Sequence, residues 1–100
     1  MTHQEFNRLY DNGEISVKVF QQVETVNQGD EQEKTIEAFE YNGKFFLRIH
    51  TLLRYKLDRR AECGKVYNMA KESHFIKEFD DKWYANNYFK KIAPNCVRIL

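Results

Sequence analysis

One hundred residues, 42% hydrophobic and 15% aromatic, are enough for one domain over residues 1–100 with a modest core, and exclude a disordered chain. No apolar run approaches the roughly 20 residues of a membrane span, so no membrane partner is expected. The formal net charge of +1 conceals an uneven distribution: residues 1–43 sum to −6, residues 44–65 to +5 and the remainder to +2.

The chain opens on "MTHQEFNRLYDNG", whose mixed charge does not read as a secretory leader. Thr2 and Glu5 form a capping-box pattern ahead of Phe6, Leu9 and Tyr10, which predicts a short helix over residues 3–11 ended by Gly13. Ile15, Val17 and Val19 then alternate with polar residues, the period of a half-buried strand. The apolar positions shift to Phe20, Val23 and Val26, which predicts a bulge or twist near Phe20, and 27–30 reads as a loop.

Asn42-Gly43 favours a two-residue type I′ turn, because both central residues need positive φ. That turn fixes a hairpin register in which facing residue numbers sum to 85. Ile36 then faces Ile49, Ala38 faces Leu47, Phe39 faces Phe46, Glu37 faces Arg48 and, if the strands extend that far, Glu31 faces Arg54. The second hairpin strand alternates from Phe45 to Asp58, with odd positions assigned to the core and a basic even face.

Beyond Gly64, Val66, Met69, Ala70, Ser73, Ile76 and Phe79 recur at helical spacing, which predicts a helix broken near Ser73. A second helix begins at Asp80 or Asp81 and carries Tyr84, Ala85, Tyr88, Phe89 and Ile92 on one face, until Pro94 stops it. "CVRIL" reads as a short closing strand. The expected fold is α+β: an antiparallel β-meander of three to four strands with its helices, one N-terminal and two C-terminal, on one side.

Catalytic chemistry finds little support in this pattern. His3, His50, His74, Cys63 and Cys96 lack the short-spaced couples that zinc sites use, so no metal or other cofactor is expected. Cys63 follows a basic run that would lower a thiol's pKa, but no nucleophile elbow or phosphate-binding glycine loop accompanies it. Two free thiols, as in a cytoplasmic protein, are the simpler reading. The acids Glu31, Glu33, Glu37 and Glu40 read as cross-strand partners, not general acids.

A protein partner is the first expectation. Trp83 lies off the apolar stripe of the last helix, and Phe39 with Phe46 would form an exposed aromatic patch unless helices cover that face. The basic residues Arg54, Lys56, Arg59, Arg60 and Lys65 complete the candidate binding set. The alternative is a small nucleic-acid-binding domain in which the basic segment 54–65 neutralises phosphates. The acidic segment 24–40 is a second candidate surface. In general character the chain resembles accessory proteins of phages and other mobile elements, which implies inhibition by occupying a host protein's working surface.

Overall fold

The computed structural model describes residues 1–26, 29–56, 67–96 and 98–100, with backbone only for Lys56 and residues 67–70. The element order is α1 (His3–Asp11), β1 (Lys18–Val26), β2 (Asp30–Tyr41), β3 (Lys44–Lys56), β4 (Tyr67–Phe79) and α2 (Lys82–Ile92). All neighbouring strands are antiparallel and the sheet order is β1-β2-β3-β4, so the α+β class and the meander hold.

The two helix starts follow from their caps. The Thr2 hydroxyl accepts from the Glu5 amide at 3.1 Å, and the Asp81 carboxylate accepts from the Trp83 amide at 2.7 Å. At the end of α1, Glu14 N donates to Leu9 O and Gly13 N to Tyr10 O, with Gly13 at φ +71°. That is the Schellman arrangement, which needs a left-handed residue at the position glycine occupies.

The hairpin register is the one the turn dictates. Pairs from Glu31↔Arg54 to Tyr41↔Lys44 all sum to 85, and Asn42 and Gly43 have φ of +51° and +72°. Of the bulge or twist expected near Phe20, the bulge is absent: β1 pairs with β2 unbroken from Lys18↔Ala38 to Val26↔Asp30. What changes near Phe20 is the face that finds cover. Ile15 and Val17 pack with α1, whereas Phe20 points the other way and packs with α2; Val19 is left exposed.

Three further expectations are corrected. Residues 67–79 are a strand, β4, not a helix. Its phase is broken by one extra residue, since Leu53 pairs with Lys71 and Arg54 with Met69, leaving Ala70 over. As an edge strand it also interleaves Lys71, Glu72, Lys77 and Glu78 with Phe75, Ile76 and Phe79, so neither face reads as uniformly apolar. "CVRIL" contributes no strand at its described residues. Instead the Asn86 side chain accepts from the Ile99 and Leu100 amides at 3.0 and 2.9 Å and donates to the Leu100 carbonyl at 3.1 Å. That amide satisfies the backbone groups a strand partner would have taken.

The third correction concerns the layers, because the helices lie on opposite faces of the sheet. Even positions of β2 and odd positions of β3 (Ile36, Ala38, Leu47, Ile49) pack against Phe89 and Ala93 at the α2 side. The reverse set, Phe39 and Phe46, packs against Phe6 and Leu9 of α1, with Ile15. Among the described residues, the buried hydrophobic strand side chains are confined to 36–39 and 46–49. The half of the sheet nearer the Asn42-Gly43 turn is therefore a three-layer sandwich, and the other half has no such layers among the described residues.

Candidate functional site: an aromatic surface on the second helix

The core stripe of α2 is Ala85 and Phe89, continued by Ala93 at the C-cap, with Tyr88 and Ile92 partly buried beside it. This stripe is rotated from the expected one, and Tyr84 falls off it into solvent. Trp83 and Tyr84 are 64% and 58% exposed, with their rings edge to face at 5.1 Å. They border an open groove of about 800 Å³ whose other aromatic walls are Phe79 and Tyr88.

Charged side chains frame this groove. Glu78 and Asp80 lie at one margin, Lys90 and Lys91 at another. Lys77 holds its ammonium 4.7 Å from the Tyr88 ring centroid, a cation–π contact, and Phe79 leans on Tyr88 at 5.6 Å. Lys44 is ion-paired with Asp80, which raises the lysine pKa through that hydrogen bond and ties the β2–β3 turn to the start of α2. The surface offers large apolar rings with polar tips.

The other sequence-derived site residues fall into three groups. Phe39 and Phe46 are 1% and 4% exposed, stacked on each other at 5.1 Å beneath α1; they are core, not a contact surface. Arg54 sits on β3 with its guanidinium bound to Glu31 at 3.0 Å and Glu33 at 2.9 Å. Arg54 and then Gln21 hold Glu33 below its ordinary carboxylate range. Lys56 ends β3, and Arg59, Arg60, Lys65 and Cys63 lie outside the described residues. Cys96 is a free, partly buried thiol.

Sequence reasoning missed one constellation. All three histidines meet on the α1 side of the sheet, with His3 stacked on His74 at 3.7 Å and His50 at 5.3 Å from His74. His50 Nε2 lies 2.6 Å from Glu72 Oε1, and Arg48, ion-paired with Glu37, covers the Phe6 ring at 4.6 Å. Partial desolvation and then the charges of His3, Arg48 and His50 push the His74 pKa down. Pairing of His50 with His74 needs β4 to be a strand, so reading 66–79 as a helix hid it. Among the described residues no group of three or more His, Cys, Asp or Glu is arranged to hold a metal ion.

The fold and these sites define a small α+β domain with two helices on a four-stranded meander, and no helix among the described residues is long and apolar enough to cross a membrane. No protein-family model, curated protein or solved structure matches the chain.

Proposed function

We propose that this chain is a non-enzymatic protein-binding module whose contact surface is centred on Trp83 and Tyr84. The observation that carries the reading is the pair of exposed, touching aromatic rings beside an aromatic-walled groove. Trp and Tyr dominate interface energetics because they bury large area and keep a polar handle. In a domain with so small a core, two rings of this size left in solvent are apolar area that a partner would remove from water. Inhibition by surface occlusion, in the manner of phage accessory proteins, is the mode of action that fits such a module.

The alternative, nucleic-acid binding through Arg54, Lys56, Arg59, Arg60 and Lys65, is weakened by Arg54. Its charge is answered by two glutamates on the neighbouring strand, so it brings no net positive field to a phosphate.

Capture from a lysate of the source cells tests both readings. A Trp83→Ala/Tyr84→Ala variant should lose the partner that wild type retains, while Arg59→Glu/Arg60→Glu should keep it. Equal capture by wild type and the aromatic variant would remove the α2 surface from the proposal. Binding to mixed DNA and RNA at low salt, abolished by the Arg59/Arg60 variant and falling steeply with salt, would favour the alternative.

A further inference from the structure

Among the described residues no further strand pairs with the outer side of β1 or β4, the two edges of the sheet, and they are not equally protected. Proteins blunt exposed edges with bulges and charges, because unpaired backbone N–H and C=O groups template the addition of another strand. β4 has both devices: its extra residue at Ala70 and the charges of Lys71, Glu72, Lys77 and Glu78. β1 has neither between Val19 and Val23. It pairs with β2 without interruption, and Val19 and Val23 are 64% and 56% exposed.

The sequence of β1 is also complementary to itself. A two-fold axis that joins two edges into one antiparallel sheet stands perpendicular to the sheet, so every residue keeps its face and the axis passes through a residue. With the axis at Gln21, Val19 of one copy meets Val23 of the other, Gln21 meets Gln21, and Lys18 meets Glu24. Symmetry makes each unlike pair occur twice, giving two valine pairs on one face and, on the other, two ion pairs flanking two Phe20–Gln22 pairs. Among the described residues neither Lys18 nor Glu24 takes part in an ion pair within the chain, and both are exposed.

The next axis along the strand does worse. At Gln22 the axis sets Phe20 against Glu24 and Lys18 against Val26. On β4, an axis at His74 opposes Lys71 to Lys77, and one at Phe75 opposes Glu72 to Glu78. Like charges directly opposite each other destabilise a strand pair.

We propose that β1 is a homodimerisation edge, joining two copies of this chain β1 to β1 in the register centred on Gln21, so that both sheets run on as one. The occupant of the edge is a second copy because Lys18 meets Glu24 and Val19 meets Val23 when the strand meets its own reverse. This surface is separate from the aromatic groove on α2, so a dimer and a bound protein partner can coexist.

Sedimentation equilibrium on Lys18→Glu, Glu24→Lys and the double variant tests the register. Wild type should dimerise. Each single variant places two like-charge pairs at the interface and should raise the dimer dissociation constant about tenfold or more. Mixing the two single variants restores both opposite-charge pairs, so the mixture should dimerise where each alone does not. The double variant should recover the wild-type dimer. These exposed charges contribute nothing to the core, and far-UV circular dichroism of each variant should match wild type. A wild type that stays monomeric at hundreds of micromolar, single variants that dimerise as tightly as wild type, or a mixture that stays monomeric would each overturn the proposal.

Discussion

Replacing Phe39 by alanine probes the layer that the sequence left open. Phe39 is 1% exposed and lies between two other rings, stacked on Phe46 at 5.1 Å and tilted against Phe6 at 5.2 Å. Truncation leaves a void between sheet and helix that α1 cannot close, since Phe6 and Leu9 are the helix's only buried residues. Burial of this kind sets the cost of Phe→Ala at about 3–5 kcal/mol, against about 0.5 kcal/mol or less for a surface ring. Domains this size are stable by only about 5–15 kcal/mol, so the urea midpoint by circular dichroism should fall by about a fifth or more. Phe46→Ala should behave similarly, and the double variant should cost less than the sum by about 0.5–1.5 kcal/mol, the coupling of a stacked pair. A loss below about 1 kcal/mol for Phe39→Ala would show that α1 does not cover this face, and the two-sided architecture would fail with it.

Acidification should weaken the fold through His74. Its pKa is lowered on folding, so the unfolded chain takes up the proton first; this contribution is intact above about pH 6.5 and is lost as pH falls from there through the lowered value. Urea midpoints at neutral and mildly acidic pH should show the drop, and His74→Gln should reduce it; an equal drop in both proteins would assign it elsewhere. Gly43→Ala should cost about 1–2 kcal/mol from the positive φ alone, because no atom lies within 4 Å of the added carbon. A neutral result in the same urea assay would contradict the type I′ turn. Asn86→Ala should release Ile99 and Leu100, and hydrogen exchange at their amides should accelerate while Phe89 stays protected. Asp81→Ala should cost about 1 kcal/mol by removing the cap on Trp83 N, read from thermal unfolding.

What the sequence disclosed, it disclosed through short-range chemistry. Asn42-Gly43 admits one turn type, and from that turn the whole β2–β3 register follows, including the Glu31–Arg54 pair at its far end. Thr2, Gly13 and Asp81 mark helix boundaries through bonds to residues at most three positions away or through φ. The identity of β4 was hidden because edge position, a shifted phase at Ala70 and cover on only part of its length erase the alternation that names a strand. The same loss hid the histidine cluster, whose members come from α1, β3 and β4. For the aromatic site, Trp83 was legible from its place off the stripe. Tyr84 was not, because the rotation of α2 on the sheet depends on how Ala85, Phe89 and Ala93 fit against it.

The uneven cover of the sheet divides it energetically although its hydrogen bonding is continuous. Around 36–39 and 46–49 the strands are clamped from both sides, so their amides should exchange with solvent only when the entire domain opens. At Gln22–Val26, Glu31–Glu33 and Leu52–Tyr55 no hydrophobic side chain is buried among the described residues, and the backbone ladder should open there in partial excursions from an otherwise native protein. The chain should thus behave as a rigid root carrying a breathing blade. The end of β1 that holds Glu24 lies on the blade and the end that holds Lys18 on the root, so an ion pair between copies would staple each blade to the other copy's root.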